Sequence, residues 1–171
     1  FRFVVGNLRW VSVTHKIGKY GPFKMDGEFS FSDFEHWGGG HNNGFEVCVD
    51  SAKNAECFLD VGGHIGLVTM PVAGVISATG TVHTFEPAEA NLKHLNSHIQ
   101  KNKITNVFVI ESLVGDVDEE NVGFYEQPSA TGQNALAVKK DHYKYKKTIR
   151  NQISLDSYCE VNSLSPDIIK I

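Results

Sequence analysis

The chain has 171 residues, which corresponds to about one domain and suffices for a hydrophobic core without disulfide or metal crosslinks. Hydrophobic residues make up 41% and charged residues 21%, which excludes an intrinsically disordered chain and a coiled coil. The 16 basic and 20 acidic residues give a net charge of −4, so the chain is a poor candidate for binding nucleic acid, which needs clustered excess cations.

Three cysteines, an odd number without a CxxC motif, indicate neither a disulfide framework nor a zinc ribbon. We therefore expect a reducing, cytoplasmic location. No apolar run reaches the roughly 18 residues of a membrane-spanning helix, so no membrane partner is expected. The chain begins with Phe1 and ends at Ile171 inside a predicted strand, 167–171, so we expect a fragment of a longer protein.

Residues 1–50 are rich in aromatic side chains and turn signals and are predicted to form a β-rich N-terminal extension. Within it, apolar and polar residues alternate over 28–32, which predicts a half-buried strand. The pair Asp26-Gly27 just before this segment predicts a hairpin turn.

Residues 51–171 are predicted to form an incomplete α/β domain. Short apolar segments at 57–61, 81–85 and 107–110 predict strands, and the segments 65–76 and 88–101 predict helices. Strands and helices that alternate at this spacing favour βαβ units and a parallel sheet. Pro71 is expected to disturb the first of these helices. Further strands are predicted at 122–125 and 149–155, with a mobile loop at 127–147 between them.

The second predicted helix carries one apolar stripe, formed by Leu92, Leu95 and Ile99. His94 and His98 are one turn apart and could in principle bind a metal ion. Since no third ligand is evident, we expect both histidines to be exposed to solvent, and no metal site is predicted.

The most informative segment is Asp60-Val-Gly-Gly-His-Ile-Gly66, which leads from a strand through glycines into a helix. Glycines allow the backbone to turn tightly and a ligand to approach closely. The dinucleotide fingerprint has glycine at its first position, where this chain has Asp60. A carboxylate would repel a diphosphate and would attract the ammonium and sulfonium groups of S-adenosylmethionine, directly or through water.

A second acidic residue, Glu86, follows the next strand and is placed to accept hydrogen bonds from two ribose hydroxyls. Phe85 and Pro87 on either side of it would form apolar walls near an adenine. Together with Asp60 and the glycines, Glu86 favours a cofactor that contains a nucleoside, either a dinucleotide or S-adenosylmethionine.

Several motifs together resemble the FkbM family of class I methyltransferases. The similarity rests on motifs spaced along 56–171: Asp60-Val-Gly-Gly-His-Ile-Gly66, Phe85-Glu-Pro87, Asn91-Leu-Lys-His-Leu95, Ile153-Ser-Leu-Asp-Ser-Tyr158 and Asp167-Ile-Ile-Lys-Ile171. The family usually has Ala-Asn where this chain has Gly63-His64. The resemblance implies a Rossmann-like class I methyltransferase sheet, here incomplete at its C-terminus, with the third, second, first and fourth core strands side by side.

The resemblance also implies S-adenosylmethionine as cofactor and methylation of an oxygen of a sugar or small metabolite. The cofactor-binding residues that follow from the motifs and from this family pattern are Asp60, Gly62, Gly63, His64, Gly66, Phe85, Glu86, Pro87, Ser112 and Leu113. No catalytic base is identified. Two alternatives stay open, namely a fragment that binds the cofactor without turnover and an NAD-dependent oxidoreductase. If the sheet is truncated at the fourth strand, its open edge is expected to promote self-association.

Overall fold

The computed structural model describes residues 11–39, 42–126 and 145–171. The strands in chain order are β1 (Ser12–Ile17), β2 (Tyr20–Asp26), β3 (Cys57–Val61), β4 (Thr81–Phe85), β5 (Val107–Ile110), β6 (Leu113–Gly115), β7 (Glu119–Glu126), β8 (Lys146–Ser154) and β9 (Ile168–Lys170). The α-helices are α1 (Phe45–Ser51), α2 (Thr69–Val75), α3 (Glu89–Lys101) and α4 (Leu155–Asn162), and short 3-10 helices cover Gly27–Phe29 and Ala52–Asn54.

The central sheet is parallel and has the strand order β5-β4-β3-β9. Its inner strands β3 and β4 are almost entirely buried, because helices and loops cover both faces of a parallel sheet. The sheet confirms the predicted α/β class, the Rossmann-like fold and the expected strand order. The chain leaves β3 toward β4 on one side and returns with β9 on the other, so the strand order reverses at β3. In open α/β sheets, ligands bind beyond the carboxyl ends of the strands at such a point.

Two smaller sheets flank the central one. β1 and β2 form an antiparallel hairpin that packs against α3, and β8 lies between β6 and β7 in a three-stranded ribbon. The main hydrophobic cluster combines side chains of the hairpin, such as Ile17 and Met25, with Phe58 and Val82 of the central sheet. The N-terminal segment therefore shares its core with the Rossmann-like part.

The N-terminal predictions were partly wrong. Residues 28–32 do not form a strand, because a 3-10 helix covers Gly27–Phe29 and a turn follows it. The hairpin turn lies at Gly18-Lys19, between β1 and β2, and not at Asp26-Gly27. Phe29 packs edge-on against the rings of His94 and His98, so its burial comes from contact with α3 and not from a sheet face.

Several element boundaries also differ from the sequence-based expectations, and the strand predicted at 122–125 extends over Glu119–Glu126. The helix predicted from residue 65 begins only at Thr69, because the glycine loop continues to that point. Pro71 is consequently in the first helical turn, where proline is tolerated because N–H groups there need no partner within the helix. β8 extends over Lys146–Ser154, and Leu155 already belongs to α4, whose first turn is capped by the Ser154 hydroxyl.

Most of the predicted mobile loop, residues 127–144, lies outside the described residues, whereas Lys146 and Lys147 belong to β8. Among the described helices, none is both long and apolar enough to cross a membrane.

Candidate functional site

The loop after β3 requires glycine for two different reasons. Gly62 and Gly66 have φ angles of +77° and +95°, which residues with a Cβ rarely adopt. Gly63 lies so close to β4 that a Cβ there would overlap the Thr84 hydroxyl. The N–H groups of Gly62 and Gly63 both donate to the carbonyl of Phe85, at 2.9 and 3.0 Å. The loop is thereby fixed across the end of the neighbouring strand.

Asp60, the first residue of the motif, is fully buried. Its Oδ2 accepts a hydrogen bond of 2.6 Å from the Thr69 hydroxyl, and its Oδ1 lies 3.0 Å from the Nζ of Lys170. The two residues are partners in the β3–β9 register. The Lys170 ammonium also donates to the carbonyls of Val61 and Gly62, at 2.9 and 3.2 Å. A cation from β9 thus neutralises the buried carboxylate at the carboxyl end of β3.

Glu86 connects the glycine loop to the start of α3 and is 4% exposed. Its Oε2 accepts a hydrogen bond from the backbone N–H of His64 at 2.8 Å. Its Oε1 accepts from the N–H of Ala88 at 2.9 Å and from the Asn91 amide at 3.2 Å. Burial raises the pKa of Glu86, although these three hydrogen bonds act in the opposite direction. A carboxylate has about four acceptor positions, and three of those on Glu86 are filled within the protein.

A cavity of about 410 Å³ opens over the loop on the side of β9. Loop backbone and the Lys170 side chain form one part of its wall, and aromatic and aliphatic side chains form the rest. Its lining residues are Trp37, Asn42, Gly44, Phe45, Cys48, Gly62, Gly63, His64, Leu67, Val68 and Lys170.

The other predicted residues, among them Phe85, Pro87, Ser112 and Leu113, do not line this cavity. Phe85 is buried and meets the Tyr158 ring edge-on, and the carbonyl of Pro87 accepts a hydrogen bond of 2.6 Å from Arg150 Nε. Ser112 lines a second depression near β8, and its hydroxyl donates to the Asn151 carbonyl at 2.9 Å. The Leu113 side chain is buried in a small apolar cluster beside α3.

Sequence reasoning missed two residues that hold the site together. Thr69 carries the hydroxyl that binds Asp60, and Lys170 carries the neutralising charge. The available signal for Lys170 was its position as the single cation in the apolar segment 167–171. Its partner could not be read locally, because it depends on β9 pairing with β3.

His94 and His98 are buried, so the expectation that solvent surrounds them was wrong. The β1–β2 hairpin covers this face of α3. His94 Nδ1 lies 2.6 Å from Asp26 Oδ2, while His98 Nε2 accepts the Asp26 backbone N–H at 3.0 Å and its Nδ1 donates to the Ile65 carbonyl at 2.8 Å. The three side chains come within 4.8 Å of one another, close enough for metal ligands.

Hydrogen bonds already satisfy this cluster. Besides His94, the Asp26 carboxylate contacts the Ser97 hydroxyl and the Lys101 ammonium. Burial alone would raise the pKa of Asp26, but these hydrogen bonds lower it to about 2. Burial lowers the pKa of His98 to about 4. The arrangement stabilises the contact between hairpin and helix, and a metal ion would have to displace bonds that are already made.

No family model matches this chain, and no curated protein matches it. Among solved structures, it is similar to TYW2 from M. jannaschii in complex with AdoMet, at 26% identity over 58% of this chain, with a TM-score of 0.42. TYW2 from P. horikoshii in complex with MeSAdo gives 18% identity over 58% and a TM-score of 0.42. A methyltransferase from Geobacter sulfurreducens gives 19% identity over 38% and a TM-score of 0.35. The chain spans 42%, 35% and 36% of the length of these three structures.

Proposed function

We propose that this chain forms the S-adenosylmethionine-binding part of a class I methyltransferase. The observation that carries the proposal is the direction of the N–H groups in the glycine loop. The N–H groups of Gly62 and Gly63 donate to the Phe85 carbonyl, that of His64 to Glu86 and that of Gly66 to the Gly63 carbonyl. A diphosphate needs N–H groups that point outward at the ligand. This loop therefore suits a nucleoside cofactor without phosphates.

The charge at the start of α2 supports the same choice. In the dinucleotide fold, the pyrophosphate lies at the N-terminus of the helix that follows the glycines. Here the Asp60 carboxylate occupies that position, bonded to Thr69 at the first residue of α2. A second anion there would compete with Asp60 for the Lys170 ammonium that neutralises this carboxylate, which disfavours the oxidoreductase alternative.

The strand ends suggest how the cofactor would lie. Glu86 would accept a hydrogen bond from a ribose hydroxyl through the one acceptor position left on its carboxylate. The amino-acid end would enter the cavity over Gly62, Gly63 and His64, and the adenine would lie toward Phe85 and Pro87. Ser112 and Leu113 follow β5 and are proposed to border the adenine from that side.

When bound, S-adenosylmethionine supplies a methyl group on a positively charged sulfonium. The residues described here bind and orient, and we assign none of them as a general base. The fixed glycine loop and Glu86 would hold the donor in one orientation, so that an acceptor oxygen can approach in line with the carbon–sulfur bond. The acceptor oxygen gains the methyl group and loses a proton. The resemblance to the FkbM family favours a hydroxyl of a sugar or small metabolite as acceptor.

Isothermal titration calorimetry of residues 1–171 with S-adenosylhomocysteine and with NAD tests the proposal. We expect binding of S-adenosylhomocysteine and none of NAD. Glu86→Gln removes a charge-assisted acceptor, which is worth about 1.5–3 kcal/mol, so affinity should fall by about tenfold or more.

The control variant is Glu89→Gln, which changes an exposed carboxylate three residues away that pairs with Lys93. We expect it to bind S-adenosylhomocysteine like the wild type. Tight NAD binding, or no binding of S-adenosylhomocysteine by the folded wild type, would refute the proposed function.

A further inference from the structure

We propose that Lys170 is a positioning residue of the cofactor site, which holds Asp60 and the glycine loop in place without touching the cofactor. This inference rests on the proposed function, since it assigns a role within that site. Lys170 is the last residue of β9, and no sequence motif considered above gave it a role.

The Lys170 ammonium makes three contacts with the residues below the cavity. The ammonium donates to the carbonyls of Val61 and Gly62 and forms an ion pair with Asp60. Two of the three N–H bonds of the ammonium are thus used for carbonyls of the loop, while the contact with Asp60 Oδ1 is an ion pair without a hydrogen bond. Although Lys170 borders the cavity, all three of these contacts are to residues at the end of β3 and in the glycine loop.

Charge burial makes this ion pair important for the loop. Asp60 is fully buried, whereas Lys170 keeps 27% of its side chain exposed. Removing the cation from a buried carboxylate strongly destabilises the folded state, because neither water nor another charge replaces the lost interaction. Among the described residues, Lys170 is the cation that pairs with Asp60. The pairing of β9 with β3 therefore places the cation that neutralises Asp60 under the glycine loop.

One consequence concerns Asp60 itself. Its Oδ2 accepts a hydrogen bond from Thr69, and its Oδ1 forms the ion pair with Lys170 but accepts no hydrogen bond. Because the carboxylate is fully buried beneath the loop, its contribution to cofactor binding is structural, through the shape of the loop, and not a direct bond to the ammonium group of the cofactor.

The test compares Lys170→Met, Asp60→Asn and the double variant for binding of two ligands by calorimetry. S-adenosylhomocysteine carries the amino-acid end, and 5′-methylthioadenosine lacks it. If Lys170 acts through the loop, Lys170→Met lowers the affinity for both ligands by a similar factor, about tenfold or more. The double variant should bind both ligands more tightly than Lys170→Met, because no unpaired charge remains.

Thermal unfolding without ligand separates this inference from the proposed function. Lys170→Met should lower Tm by about 6 °C or more, and the double variant should recover much of that loss. The control is Lys53→Met, which removes an exposed ion pair with Asp50 and should change neither Tm nor affinity.

Three results would overturn the inference. A loss of affinity confined to S-adenosylhomocysteine would show direct contact with the amino-acid end. Unchanged affinity and Tm in Lys170→Met would show that the ion pair is unimportant. A double variant as impaired as Lys170→Met would show that charge neutralisation is not the role of Lys170. If the wild type binds neither ligand, the proposed function fails, and the Tm values alone decide whether Lys170 neutralises Asp60.

Discussion

At the scale of single residues, three buried carboxylates are stabilised in three different ways. Asp60 is paired with a lysine from another strand, Glu86 accepts hydrogen bonds from backbone and amide N–H groups, and Asp26 binds a serine, a histidine and a lysine of α3. Because the partners of each carboxylate belong to segments other than its own, each carboxylate fixes a contact between separate parts of the fold. Substitution of Asp60 by alanine should consequently destabilise the fold as well as the site.

His98 gives the protein a pH-dependent stability. Burial lowers its pKa to about 4, so the folded state binds its proton less readily than the unfolded state does. Its contribution is complete above about pH 6.5 and is lost as the pH falls toward 4. Between pH 7 and pH 4.5, the free energy of unfolding should decrease by about 2.5 kcal/mol from this group.

Urea unfolding of the wild type and His98→Gln at several pH values checks this expectation. The groups that face His98 are Asp26, His94 and Lys101, and Asp26 titrates below the window because its pKa is about 2. The stability difference between the two proteins should narrow as the pH falls. A difference that is constant across the window would show that His98 does not titrate with a lowered pKa.

At the scale of elements, the start of α3 is held by carboxylates from other parts of the chain. Glu86 accepts the N–H of Ala88, and Glu126 of β7 accepts the N–H of Glu89 at 3.0 Å. Arg150 of β8 binds Glu126 at 2.6 Å and also the carbonyl of Pro87. Negative charge at a helix N-terminus is favourable, because free N–H groups and the helix dipole are both satisfied. The β7–β8 ribbon thereby supports the segment that carries Glu86.

Removing Arg150 should loosen this support. Arg150→Met leaves the buried Glu126 without its cation, which should cost about 3–5 kcal/mol in unfolding free energy measured by urea titration. The control variant Lys93→Met removes an exposed pair with Glu89 on α3 and should leave the stability unchanged. Equal effects of the two variants would show that the ribbon does not support α3 through this pair.

Two glycines that follow β3 offer a matched comparison. A Cβ on Gly63 would overlap the Thr84 hydroxyl, whereas a Cβ on Gly74 in α2 would have no neighbour within 4 Å. Gly63→Ala should therefore destabilise the protein by about 1–3 kcal/mol and weaken binding of S-adenosylhomocysteine. Gly74→Ala should stabilise it by about 0.5–1 kcal/mol, because alanine favours a helix. Thermal and urea unfolding measure both effects, and a tolerated Gly63→Ala would contradict the close approach of loop and strand.

The strands of the central sheet could be predicted because their signal is local. Segments 57–61, 81–85 and 107–110 are short apolar runs bounded by turn residues, and the structure confirms all three. The segment 28–32 has an equally clear alternation but forms no strand, since packing of Phe29 against α3 determines its structure. Likewise, the partners of Asp60 and the burial of His94 depend on contacts between distant parts of the chain, which periodicity does not encode.

At the scale of the whole molecule, β9 is the element whose exposure determines whether the chain associates with a second copy. It pairs with β3 on one side and, among the described residues, with no strand on the other. Ile169 in β9 is 46% exposed. An uncovered strand with apolar side chains presents unpaired backbone groups that can pair with a second chain.

We therefore predict that residues 1–171 self-associate in a concentration-dependent manner in sedimentation velocity experiments. Ile169→Lys places a charge on this edge and should reduce the association. A wild-type chain that stays monomeric over the whole concentration range would show that the edge is protected in solution.

A crystal structure of residues 1–171 grown with S-adenosylhomocysteine would test the central claim most directly. We predict that a ribose hydroxyl lies within hydrogen-bond distance of the Glu86 carboxylate and that the amino-acid end lies over Gly62, Gly63 and His64. Lys170 should remain bound to Asp60 with the ligand present. A ligand located away from the carboxyl ends of β3 and β4, with Glu86 still enclosed by its present partners, would contradict the account.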